Sequence, residues 1–395
     1  MAYNAGKTVL SNTSYNTLNS IAKSLGGEFL AAVPLVKTAD DAKEYGVAVL
    51  GNGDFYNQFT GMLNKIAATK CYQHAVENNL ELFNKGSIGP GAIVENYVVD
   101  YVLPDGYQAS TANPGDCFKQ NDPKIHYSLH PVNSKLVYTT TIKRAEVELC
   151  FNTVDGADNL IARIEERLTS SVNWDTFIMT KYTIARALLA TDSLKRDIAT
   201  LTKETADDAV AAMKGVSNGM RFVSADYNEA EYPTLAPIDR QVCIMTSDAN
   251  AKIDVYALAA AFNLEYKQLL GRLVMVNSFD FNEIEQARLD HIMEETADQG
   301  LVVEYVPFTD EEKAKLAAIK AAIVDESFFM IFDKLKEMES IRDPLHLSEN
   351  LFYHVWKVYS HNPFAAAAYF TDYEAEPEPT ATETETETAT ETPTT

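Results

Sequence analysis

Cysteine is scarce in this chain. Cys71, Cys117, Cys150 and Cys243 are its four cysteines, far apart and with no CxxC pair. That spacing argues against a zinc ribbon or a disulfide framework and reads as reduced thiols in a cytosol-like compartment. Basic residues are also few: 33 Lys and Arg stand against 57 Asp and Glu, for a formal charge of −24. Sequence-independent nucleic-acid binding runs on lysines and arginines displacing counterions from phosphates, so a chain this acidic should repel DNA rather than hold it. No uninterrupted apolar run approaches the roughly 20 residues of a membrane-spanning helix. The start, MAYNAGKTVLSNTSYN, lacks the basic and apolar regions of a secretory leader, and neither a membrane nor secretion is expected.

What is abundant is material for a core. With 46% hydrophobic and 10% aromatic residues in 395, the chain can fill two or three domains or one elaborate fold. A compositional boundary falls near Thr371. Residues 371–395 hold seven Glu and one Asp, many Thr, and no Lys or Arg. Removing those eight charges from −24 leaves −16, so the body is acidic in its own right. The tail reads as a disordered, solvated brush of charge.

Within the body, 15–30 begins with helical spacing (Leu18, Ile21, Ala22, Leu25) until Gly26 and Gly27 stop it, and 57–68 puts Phe59, Met62, Leu63 and Ile66 on one helical face. Residues 93–103 and 136–149 are rich in Val, Ile, Thr and Tyr and alternate in part, which predicts strands with one wet face. The Pro-rich segment 104–134 between them predicts a projecting arm that needs a neighbour to cover it. A long helix is expected over 157–189 with a break at Asn173, another over 203–214 ended by Gly215, and a buried strand over 240–245. An Ala-rich helix over 254–262, capped by Asp254, should follow. Thr309 opens a capping box for a helix over 311–323. Short apolar strands are expected over 328–332, 353–359 and 365–370. The mixture indicates an α+β or α/β body.

Catalytic motifs are present only in outline. Gly215-Val216-Ser217-Asn218-Gly219 fits GxSxG, but a nucleophile elbow follows a strand and opens a helix, and here a helix precedes and a strand-like MRFVS follows. Gly6-Lys7-Thr8 has Met1 where a phosphate-binding loop needs glycine. His291 to Glu295 has glutamate where an inverted zinc-protease motif needs its second histidine. His346, His354 and His361 cluster in sequence, yet strand alternation puts His354, Trp356 and Val358 on one face and Tyr353, Val355, Lys357 and Tyr359 on the other. No catalytic residue, cofactor or metal is assigned.

The last part of the body, FFMIFDKLKEMESIRDPLHLSENLFYHVWKVYSHNPFAAAAYF (328–370), resembles the C-terminal end of the major capsid protein of small short-tailed bacteriophages of the phi-29 type. The likeness lies in an aromatic and aliphatic strand, "DKLKEME", "RDP", "YHVW" and "NPFA". Upstream, IDVYALAAAFNLEYKQLLGRLVMVNSF (253–279), FNKGSIGPGAIVENYVVDYV (83–102) and FLAAVPLVKTADD (29–41) are similar in the same order. The resemblance implies an α+β HK-97-like capsid fold. Its parts would be an N-terminal arm and the start of a peripheral domain (1–82), an extended β loop (83–150), a spine helix of the peripheral domain (151–200), an axial domain (201–327), strands joining peripheral and axial domains (328–370), and the acidic tail (371–395).

It also implies a subunit that self-assembles in many copies into a head shell in the host cytoplasm, with a scaffolding protein and a portal protein as partners. The shell would enclose double-stranded DNA without strong or specific binding. Tyr97, Val99, Tyr101, Tyr138 and Ile142 would lay the loop over a neighbouring subunit; Phe352, Tyr353, Val355, Trp356 and Phe364 would build a core joint. Two departures stand out: 280–320 is longer than the pattern asks, and the tail replaces an immunoglobulin-like domain carried by some relatives. The alternatives are an encapsulin-like shell around protein cargo and a serine hydrolase using Ser217.

Overall fold

The computed structural model describes residues 7–73, 78–89, 91–102, 104, 122–152, 156–256, 272–297, 299, 301 and 305–373. The phosphate-loop likeness at Gly6, most of the Pro-rich segment, the Ala-rich stretch after Tyr256 and nearly all of the tail therefore lie outside the described residues. Helices α1 (Lys7–Leu25), α2 (Gly27–Ala32), α3 (Ala39–Gly51) and α4 (Gly53–Gln73) come first, then strands β1 (Asn84–Ser87), β2 (Val94–Val99), β3 (Ile125–His130) and β4 (Ser134–Lys143). Helices α5 (Arg144–Asn152) and α6 (Gly156–Leu188), strand β5 (Lys195–Asp197), helix α7 (Ala206–Gly219), strand β6 (Gln241–Thr246), helix α8 (Ser247–Tyr256) and strand β7 (Leu273–Val276) follow. Helices α9 (Glu283–Ala297) and α10 (Asp310–Ala318) precede β8 (Ile319–Asp325), β9 (Phe329–Asp343), β10 (Ser348–His361) and β11 (Ala367–Thr371).

Three sheets organise them. The first has the order β1-β9-β10-β4, the second β5-β11-β8-β6-β7, and β2-β3 forms a separate ribbon. In the first, β10 pairs antiparallel with β9 from Ser348 opposite Asp343 to His361 opposite Phe329, and with β4 from Ser348 opposite Lys143 to Lys357 opposite Ser134. One face of β10 buries Leu351, Tyr353 and Val355 against α1, α3, α4, α5 and the first half of α6. The second sheet is buried on both faces, as its near-continuous apolar strands require. Val242 and Ile244 of β6 face the second half of α6 and α9, while Cys243 and Met245 face α7 and α8.

Helix α6 joins the two halves. Its residues from Leu160 to Val172 lie in the first core and those from Ile178 to Leu188 in the second. The expected break at Asn173 is absent; what changes there is the core the helix faces. Helix α9 is fastened to it by Lys181, whose ammonium lies 2.8 Å from Glu285 with both side chains buried, and by Arg288, which donates to both oxygens of Asp175 at 2.6 and 3.0 Å.

Several local expectations are corrected. Residues 144–149 are helical because Val147 and Phe151, one turn apart, fill the first core; the alternation of RAEVEL imitated a strand. Gly215 does not end α7, which runs on to Gly219; Met220–Phe222 then turn, and of MRFVS only Ser224 bridges as a strand would, to Thr234. Asp254 lies inside α8, not at its cap. The Thr309 capping box is formed with Glu312, but its helix stops at Ala318 and the apolar run from Ile319 is the buried strand β8. Strands β9 and β10 extend well past their apolar stretches, since a hairpin's two members carry each other into solvent.

Candidate assembly surface

No side chain of the ribbon β2-β3 belongs to either core described above. Its pairing sets Glu95, Tyr97 and Val99 opposite Leu129, Tyr127 and Ile125 on one face, and all six are exposed, Tyr97 at 73% and Tyr127 at 69%. Tyr101 and Val102 continue the exposure beyond β2. An apolar row on a two-stranded ribbon is costly to leave in water and marks an interaction surface.

The opposite face and the base are held to the body. His130, buried at the end of β3, accepts from the Asn96 amide at 3.0 Å through Nε2, which leaves Nδ1 to donate to Ser360 Oγ at 2.7 Å. Burial, with His361 nearby, pushes its pKa down to about 4, so the ring is neutral at pH 7. His361 in turn lies 2.7 Å from Glu229 and holds that carboxyl below its usual range. The Tyr232 hydroxyl donates to the Val99 carbonyl at 2.6 Å while its ring stacks on Tyr101 and meets Phe364 edge-on. At the entry to the ribbon, Lys334 donates to the carbonyls of Gly89 and Ala92 at 2.7 and 2.8 Å, and Gly86 and Gly91 adopt positive φ of 93° and 75° that a side chain would oppose.

The residues singled out from sequence fall in different places. Tyr97 and Val99 are on the exposed ribbon, and Tyr101, just beyond β2, is exposed but stacks on Tyr232. Tyr138 is half-buried beside Asp175, where burial raises its phenol pKa, and Ile142 is buried in the first core; both belong to the sheet and face inward. Tyr353 and Val355 lie in the same core, and Phe364 is buried against Tyr232. Phe352 and Trp356 are half-exposed on the outer face of β10, with Lys135 over the Trp356 ring. Sequence reasoning missed Ile125, Tyr127 and Leu129, although IHYSLH carries the period-2 signal. Pro123 and the turn-forming residues before it hid the strand.

Ser217 is buried inside α7 and its hydroxyl donates to Gln241 at 2.5 Å, so it lacks both the strained turn and the base of a nucleophile. Among the described residues no three His, Cys, Asp or Glu side chains are grouped to hold a metal ion, and no described helix is long and apolar enough to cross a membrane. Cys243 is buried, which pushes its thiol up to about 12.

The family model of the Phi29-like phage major capsid protein matches residues 18–371. The chain belongs to this family. The major capsid protein of Bacillus phage B103 is 27% identical over 384 residues, covering 94% of this chain and 76% of its own length. That of Bacillus phage PZA is 26% identical over 368 residues, covering 91% and 73%. Among solved structures, the capsid of Staphylococcus phage Andhra shares the fold with a TM-score of 0.57 at 15% identity, covering 76% of this chain and 86% of that one. As a Phi29-like major capsid protein, the chain is a virion subunit that self-assembles into the icosahedral shell enclosing the phage DNA. Its fold is α+β with mixed sheets, like the capsid proteins it resembles.

Proposed function

We propose that the shell is built through the β2-β3 ribbon, laid over a neighbouring subunit so that Tyr97, Val99 and Tyr101, together with Ile125, Tyr127 and Leu129, are buried between copies. The single observation that carries this reading is the exposed, largely apolar face of a ribbon whose other face is pinned by Tyr232 and His130. Tyr138 and Ile142 serve it indirectly, by fixing β4 in the sheet from which the ribbon departs. Tyr353, Val355 and Phe364 act as the joint beneath, with Phe352 and Trp356 on the outer side of the same strand.

In this reading the parts follow the HK-97 plan: arm and start of the peripheral domain over 1–82, extended loop over 83–150, spine over 151–200, axial domain over 201–327 and joining strands over 328–370. The second sheet with α7 and α8 serves as the axial body, and α9 and α10, which occupy the long segment 280–320, brace the spine. Assembly takes place in the host cytoplasm on a scaffolding protein, with a portal at one vertex. A subunit of charge −24 encloses DNA without adhering to it.

Electron microscopy of cells expressing the chain, with and without its scaffolding partner, tests the proposal. Uniform closed shells are expected for the parent chain. Tyr97→Asp combined with Tyr127→Asp should abolish them while leaving the melting temperature of the subunit within a few degrees. Shells that form unchanged from the double variant would refute the ribbon's role. A nuclease-resistant genome inside purified particles separates a head shell from a cargo-holding encapsulin-like shell.

A further inference from the structure

Among the described residues strand β4 pairs only with β10 and is the outer strand of its sheet, so one of its sides has no strand beside it. Along that free side a cleft of about 210 Å³ runs between residues 135–138 and helix α9, with Asp175 at its floor and Arg288, His291 and Glu295 on its wall. The Gln299 side chain already reaches in and donates to the Lys135 carbonyl at 2.8 Å. By the two-residue repeat of a strand, the N–H and C=O groups of Val137, Thr139 and Thr141 point the same way, while at the far end the Lys143 N–H already donates to the Glu146 carboxylate at 3.2 Å. The side chains of these odd-numbered residues share the outer face, where Val137, Thr139, Thr141 and Lys143 are exposed and Lys135 is half-buried. A long edge of this kind pairs with other chains unless something covers it.

Residues 380–392, TATETETETATET, have the complementary pattern. Every even position is Thr, a good strand former, and every odd position is Glu or Ala, so a strand would gather its carboxylates on one face. Glu383 and Glu391 are eight residues apart, as are Lys135 and Lys143. An antiparallel register that sets Glu383 opposite Lys143 sets Glu391 opposite Lys135, and it places Ala389 opposite Val137. The parallel register would set Glu385 against Val137 instead. Opposite charges across a pair stabilise, and a charge against an apolar side chain does not.

We propose that residues 380–392 of a second copy of this chain add antiparallel to β4 as a fifth strand. The proposal commits to a second copy because β11, from which the segment leaves, belongs to the other sheet, and because a shell sets copies side by side. It rests on the capsid reading only for the presence of those copies. Backbone hydrogen bonds would supply the affinity, and the two lysines the register.

Hydrogen exchange read by mass spectrometry tests this on full chains. An isotope-labelled recipient carrying Glu385→Pro and Ala389→Pro lacks two of the amide donors that would face β4. Mixed with unmodified, unlabelled donor, its peptide over 134–143 is expected to exchange at least about 10-fold more slowly than when the donor carries the same prolines. Lys135→Glu with Lys143→Glu in the recipient should cancel the slowing, and Glu383→Lys with Glu391→Lys in the donor should restore it. Equal exchange in the first two mixtures overturns the proposal. So does slowing confined to the donor's own strand at every concentration, which assigns the segment to its own subunit. Sedimentation of the same mixtures reports shell formation separately, so a failure to assemble is distinguished from a failure of the strand to add.

Discussion

Both ring nitrogens of His130 are committed to neutral partners, Asn96 and Ser360. Its folded pKa of about 4 lies below the ordinary value of 6.5, so the unfolded chain binds the proton more readily. The stabilisation is therefore complete above about pH 6.5 and is lost as pH falls toward 4, by an amount on the order of 2–3 kcal/mol. His130→Gln should shrink the difference in unfolding free energy between pH 7 and pH 4.5, measured by denaturant titration at both. An unchanged difference would mean that other groups carry the acid sensitivity.

Lys181 and Glu285 form a buried ion pair in which each side chain depends on the other. Lys181→Met should cost about 3–5 kcal/mol by stranding the carboxylate, whereas Lys181→Met with Glu285→Leu should come close to the parent. Chemical denaturation of the three chains decides it. Neither residue could be picked out from the sequence. A lysine on a long helix and a glutamate more than a hundred residues later read as solvated charges until the fold brings them to 2.8 Å.

At the scale of elements, one glycine sets how closely two helices approach. A Cβ on Gly46 of α3 would stand 2.7 Å from the Cβ and Cγ of Phe151 on α5, too close for either to keep its place. Gly46→Ala should destabilise by about 1–3 kcal/mol, and Phe151→Leu should recover part of that loss in the same thermal unfolding experiment. Phe151 also explains why α5 was illegible in advance. Six residues of alternating RAEVEL look like a strand, and only the packing of Val147 and Phe151 into one core selects the helix. Elements with an internal signal were legible: β10 through its alternation, α6 through its apolar spacing, the start of α10 through its capping box. Boundaries were not, because the end of α10 and the polar half of β9 are decided by strand partners remote in sequence. The ribbon was half legible. Strand β2 announces itself, while β3 is short and hidden by the turn-forming residues before it.

For the molecule as a whole, charge and assembly are coupled. Copies carrying −24 repel one another as they approach, and salt screens that repulsion over distances of roughly 10 Å at 0.1 M. The subunit concentration needed for assembly should therefore fall as sodium chloride is raised from about 20 to 300 mM. Light scattering across that range would show it, and a rising threshold would mean that attractive ion pairs between subunits outweigh the net charge.

The order of the second sheet has a consequence in time. Strand β11, near residue 370, lies between β5, near residue 196, and β8. A ribosome adding about 5–20 residues each second needs roughly 10–35 s to pass from β5 to β11, so β5 waits that long for its partner, and β8 has an open apolar flank over the last few seconds of that interval. The sheet closes only when nearly all of the protein has emerged. Synthesis itself thus delays the finished subunit, and a nascent fragment cannot enter a growing lattice with its second core complete.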